Sequence, residues 1–141
     1  MADKAHVLVV ANRTAESDQL LAALKERAEK TPTRFTLLVP ATPHGVAWAA
    51  DMHSGGEEAE AHMNKALERL QAEGLEINGL VGDPDPIAAV QDAVNSDAEF
   101  DAAVVSTLPV HVSRWLKLDL PHRVERSTGL PVEHVEAAEQ G

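Results

Sequence analysis

Between Ser106 and Arg126 the chain reads "STLPVHVSRWLKLDLPHRVER", directly after the apolar run "FDAAVV". The stretch supplies hydroxyls at Ser106, Thr107 and Ser113 and cations at Arg114, Lys117, Arg123 and Arg126. Groups of these types suit the gripping of an anion, because a guanidinium holds phosphate or carboxylate through two parallel hydrogen bonds. A second polar group, Asn12, Arg13 and Thr14, follows the apolar "HVLVV", and a third, Gly82 and Asp83, opens "GDPDP". The plain alternative is that Arg114, Lys117 and Arg123 pair with surface carboxylates, as charge runs usually do.

Other chemistries find less support. Ser113, His111 and Asp119 are the residue types of a nucleophilic triad, but no nucleophile elbow surrounds the serine. His44, His53 and His62 are spaced nine apart with no tight pair among them, so they read as solvated histidines rather than metal ligands. An enzyme acting on phosphate esters or transferring adenylyl groups would need a general base, for which His111 and His122 are the nearby candidates. The sequence carries neither G-x-x-x-x-G-K-[ST], nor G-x-G-x-x-G after its first strand, nor H-E-x-x-H.

The balance of charge narrows the partners. Over 141 residues, 23 acidic side chains face 12 basic ones, for a net charge of −11. Such a surface repels nucleic-acid phosphates and anionic lipid at long range. With no tyrosine, two tryptophans and two phenylalanines, a stacking platform for single strands is also excluded. The absence of cysteine removes disulfides and thiolate chemistry and fits a reducing cytoplasm. The opening "MADKAHVLVVANRT" holds too short an apolar run for a signal peptide or a membrane span.

The elements that would position these groups alternate. "HVLVVAN", "FTLLVP", "LEINGLVG", "DAAVVS" and "LPVEHV" read as buried strands. Between the first two lies a helix with Leu20, Leu21, Leu24 and Ala28 at helical spacing, Thr14 as its expected N-cap and Glu16 and Asp18 in its first turn. A second helix is expected over 57–73, with Ala59, Met63, Ala66, Leu67 and Leu70 on one face and Gly74 as its C′ residue. The long irregular "ATPHGVAWAADMHSGG", which contains Trp48, precedes it. A third opens at Pro86 with Asp85 as cap, its core face formed by Ile87, Val90 and Val94; a fourth runs from near Asp119 to Gly129. Trp115, Leu116, Leu118 and Leu120 read as anchors to the core, or else as an apolar edge for a partner. The pattern is one α/β domain over 1–141 with a mainly parallel sheet, helices on both faces and a frayed tail at 136–141. In such sheets ligands sit beyond the carboxyl ends of the strands, here the segments after strands one and four.

The run "VGDPDPIAAVQDAVNSDAEFDAAVVST", a strand, G-x-P opening a helix, an acidic segment, "FD" and a buried strand, resembles the second half of the universal stress protein (UspA-like) family. "HVLVVANRTAES" is similar to the family's first strand and helix start, and "RSTGLPVEHV" to its last strand, so the resemblance spans nearly the whole chain. It implies a Rossmann-like five-stranded sheet in order 3-2-1-4-5 and a homodimer formed through the last strand. It also implies, for members that bind ATP, a phosphate cradle of form G-x-x-G-x9-G-[ST] after strand four.

Here Ser106 and Pro109 hold the first two glycine positions, and the closing G-[ST] falls at about Leu118-Asp119. Pro109 offers no N–H, and Asp119 would repel phosphate. The family's acidic residue after strand one is replaced by Asn12, followed by Arg13. These departures argue against ATP held in the usual way. The sequence points instead to an anion site rebuilt from side chains, for ATP or another nucleotide, in a non-enzymatic stress-response or regulatory protein of the cytoplasm. Asn12, Arg13, Thr14, Gly82, Asp83, Ser106, Thr107, Ser113, Arg114 and Lys117 are the expected ligand-binding residues. The rival expectation is a dimeric interaction module without a small-molecule ligand.

Overall fold

Apolar strands flanked by amphipathic helices assemble into one parallel sheet. The computed structural model describes residues 5–11, 15, 17–40, 54–83, 85–96, 99–107 and 119–136, the side chains of 54–59 excepted. Strands β1 (Ala5–Val10), β2 (Thr33–Pro40), β3 (Glu76–Gly82), β4 (Ala102–Thr107) and β5 (Val132–Glu136) lie in the order β3-β2-β1-β4-β5. All four pairings are parallel. The expected order and architecture are therefore observed.

Alternation along each strand divides the core. Val7 and Val9 of β1 join Phe35, Leu37, Val39, Ile77 and Val104 on one face, under α1 (Asp18–Lys30) and α2 (Ser54–Ala72). Leu8 and Val10 join Leu38, Ala103 and Val105 on the other, under α3 (Pro86–Asn95) and α4 (Leu120–Thr128). Leu20 and Leu24 of α1 and Val90 and Val124 of α3 and α4 are fully buried. Each burial of this kind contributes about 1.5–3 kcal/mol. The anchor reading of Leu120 holds, since it is buried in the second core; Trp48, Trp115, Leu116 and Leu118 lie outside the described residues.

Two helix starts differ from expectation. The N-cap of α1 is Ser17, whose hydroxyl accepts the Leu20 N–H at 3.1 Å, in place of Thr14. Ala15, before the cap, is fully buried in the first core. Thr14 and Glu16 lie outside the described residues. Helix α2 begins at Ser54 rather than Glu57 and takes in Gly55 and Gly56. Glycine costs a helix about 1 kcal/mol relative to alanine, and the 19-residue length of α2 absorbs that cost. The remaining punctuation is as expected: Asp85 caps α3 through the Ile87 N–H, and Gly74 and Gly129 adopt positive φ after α2 and α4.

Candidate functional site at the carboxyl edge of the sheet

The chain leaves β1 for α1 on one face and leaves β4 for α4 on the other, although β1 and β4 are neighbours. Their carboxyl ends thus flank the point where strand order reverses, the position at which open α/β sheets form a crevice. The last β1–β4 pair is Val10 with Val105, so Ser106 and Thr107 extend β4 beyond the end of β1. Both are nonetheless buried, at 1% and 2% exposure. By alternation Ser106 lies on the α1 face and Thr107 on the α4 face.

Burial of a hydroxyl requires a partner, and Thr107 finds one across the sheet. Its Oγ1 lies 2.7 Å from Nε2 of His134, an exposed residue of β5. Ser106 is also partnered. No buried side-chain nitrogen or oxygen among the described residues is left unsatisfied. His134 escaped the sequence reading because its contact with Thr107 spans 27 residues and follows only from the parallel register of β4 and β5.

At the end of β3 the aspartates serve the backbone, as expected. Asp83 Oδ1 accepts the Asp85 N–H at 2.9 Å, and Asp85 Oδ1 accepts the Ile87 N–H at 3.0 Å. Gly82 permits a close approach, which here is made by α3: a Cβ would stand 2.7 Å from that of Ala89 and 2.9 Å from Leu38 Cδ1. Helices α1 and α3 both open at this edge, so their N-terminal partial charges add positive potential there.

Asp119 has the one positive φ among described non-glycine residues, with φ 56° and ψ 43°. This left-handed conformation favours glycine and is tolerated by aspartate. Asp119 stands at about the second position of the closing G-[ST] that the resemblance implies, beside the place expected for its glycine. The Asp119 carboxylate gives no cap and instead faces His122 Nδ1 at 3.2 Å, with both side chains more than half exposed.

Of the expected binding residues, the structure thus brings Ser106 and Thr107 to the switch point and Gly82 and Asp83 to the same edge of the sheet. Asn12, Arg13, Thr14, Ser113, Arg114 and Lys117 lie outside the described residues, as do Pro109, His111, His44 and His53. Arg123 and Arg126 sit exposed on α4. The described cations Lys25, Arg27 and Arg69 pair with Glu73, Glu133 and Asp18, the ordinary fate of positive charge on an acidic surface. No group of three or more acidic or histidine side chains among the described residues is placed to hold a metal, and no described helix is long and apolar enough to cross a membrane.

An open parallel sheet with a switch point between its first and fourth strands defines a doubly wound α/β protein. Within that class the chain has the fold of the universal stress proteins. A universal stress protein solved in complex with cAMP superposes with a TM-score of 0.61 at 19% identity, covering 97% of this chain and 100% of that one. A universal stress protein from Archaeoglobus fulgidus gives 0.61 at 17% identity, covering 93% of each chain. The universal stress protein from Archaeoglobus fulgidus in complex with dAMP gives 0.59 at 14% identity, with 96% and 99% covered. No family model and no curated protein matches the sequence.

Proposed function

We propose that the protein is a non-enzymatic regulatory module of universal-stress-protein type that binds an anionic ligand of the nucleotide class. The observation that carries this reading is the switch point itself, where β4 reaches past β1 and ends in the polar residues Ser106 and Thr107. Two proteins of the same fold were solved with the adenine nucleotides cAMP and dAMP, which favours a nucleotide over a simple anion. Asn12, Arg13 and Thr14 follow β1 in the chain, and Ser113, Arg114 and Lys117 follow β4, so the sequence delivers hydroxyls and positive charge to both sides of that point. In this reading the guanidinium of Arg114 replaces the backbone N–H groups that a glycine-rich cradle would supply. The protein acts in the cytoplasm as a homodimer.

Thermal unfolding with ATP, ADP, AMP, cAMP and inorganic phosphate, for wild type and Arg114→Ala, tests the proposal. A ligand at a hundred times its Kd stabilises the fold by about 2.7 kcal/mol, a rise in Tm of roughly 5–10 °C for a domain of this size. A rise with a nucleotide that Arg114→Ala abolishes supports the reading. Flat curves throughout favour the interaction module, whose self-association would then appear in sedimentation.

A further inference from the structure

At the opposite, amino-terminal edge of the sheet, His6 of β1 is 7% exposed and bonded on every side. Its backbone N–H donates to Asp101 Oδ2 at 2.8 Å, and its carbonyl accepts the Asp101 N–H at 2.8 Å. Its ring rests against that of Phe100, with centroids 4.3 Å apart. Nδ1 lies 3.1 Å from the Glu99 carbonyl oxygen, and Nε2 lies 2.8 Å from the Thr36 hydroxyl of β2. That hydroxyl in turn donates to Asn78 Oδ1 on β3 at 3.0 Å.

Counting protons shows that this chain has two states. A carbonyl oxygen only accepts, so Nδ1 carries a proton in both. The Thr36 hydroxyl has one proton to give. While it gives that proton to Asn78 Oδ1, Nε2 must donate to it, and the ring is an imidazolium. When the ring is neutral, Nε2 accepts, the Thr36 hydroxyl turns toward it and releases Asn78 Oδ1, and only the amide nitrogen of Asn78 can then bond to Thr36. The ring is held on its other sides by the Glu99 carbonyl at Nδ1 and by the Phe100 ring, on a backbone that Asp101 fixes through the His6 N–H and carbonyl. Asn78 is exposed on the edge strand and can turn.

We propose that these three side chains form a proton-operated relay, in which protonation of buried His6 reverses the Thr36 hydroxyl and turns the Asn78 amide at the β3 edge. The edge then offers solvent, or anything docked there, the amide nitrogen below the transition and the carbonyl oxygen above it. The charged groups around the ring set where that transition falls. Burial disfavours the imidazolium most, and Arg34, paired in register with His6, adds to it, while the Glu99 carbonyl and the Asp101 carboxylate oppose both. Glu76, which pairs with Arg34 from β3, and the exposed Glu99 side chain complete the set.

The test is a pH titration of the isotopically labelled protein by NMR, following the His6 ring nitrogens and the Asn78 side-chain amide together. The relay requires both to move with one midpoint in wild type, and it requires Thr36→Val to silence Asn78 while His6 still titrates. An Asn78 amide that stays flat through the His6 transition overturns the proposal. So does one that still follows His6 in Thr36→Val, since the effect would then be through space. Should Thr36→Val fail to fold, Thr36→Ala removes the same hydroxyl with a smaller side chain and must silence Asn78 in the same way; an Asn78 amide that still follows His6 there contradicts the relay.

Discussion

Nε2 of His134 and the hydroxyl of Thr107, 2.7 Å apart, tie β5 to β4 at the carboxyl edge of the sheet. The two residues differ sharply in what they lose if the tie is cut. Thr107 is buried and His134 is exposed. His134→Ala strands a buried hydroxyl and should cost about 1–3 kcal/mol, whereas Thr107→Val removes the buried polar group and leaves the imidazole to water, at about 1 kcal/mol or less. Urea unfolding of the two variants checks the order.

The glycines of β3 allow a second comparison. A Cβ at Gly82 meets Ala89 Cβ at 2.7 Å, a short side chain fixed on a helix, whereas one at Gly79 meets the end of Met63 at 2.7 Å, which can swing aside. Gly82→Ala should therefore lower stability by about 1–3 kcal/mol, and Gly79→Ala by less. Thermal midpoints of both variants measured in one buffer decide this.

Asp119 occupies a conformation suited to glycine and carries a charge unsuited to an anion site. Asp119→Gly should leave the fold as stable or slightly more so, and should tighten nucleotide binding; Asp119→Val should destabilise by about 1–2 kcal/mol, because a β-branched residue resists the left-handed region. Calorimetric titration with AMP, beside thermal unfolding, separates the two effects.

Acid should weaken the fold through His6. The folded chain binds the His6 proton more weakly than the unfolded chain does, because burial and Arg34 disfavour the imidazolium. Stability rises with pH wherever the unfolded state holds more protons. It must therefore fall as pH drops below about 6.5, the free histidine value, and this component levels off below the folded value. In His6→Gln this component disappears, so the gap in unfolding free energy between wild type and variant should narrow from pH 7.5 to pH 5.5. A gap that stays constant contradicts it.

The fold was legible because its signals are local. Val7 to Val10 form an uninterrupted β-branched and leucine run, as a strand buried on both faces requires, and Asp85-Pro86 carries both a cap and a helix-opening proline. What local signals could not do was choose between equivalent options. Thr14 and Ser17 are both residue types that cap helices, and the sequence alone does not rank them; the structure uses Ser17. Gly55 and Gly56 read as a break, yet a long helix accepts them. At the site, Ser106 and Thr107 could be placed by counting from a strand, but the Thr107–His134 and His6–Thr36–Asn78 contacts depend on register between strands far apart in sequence.

Chemical-shift mapping locates the ligand on the sheet. Titrating AMP into the labelled protein should perturb the backbone amides of Ala11, Gly82, Asp83, Ser106 and Thr107 together, with one saturating isotherm, and leave Ala5, Thr33 and Asp101 at the opposite edge unmoved. Perturbations centred on the amino-terminal edge, or none at saturating nucleotide, would contradict a nucleotide site at the β1–β4 switch point.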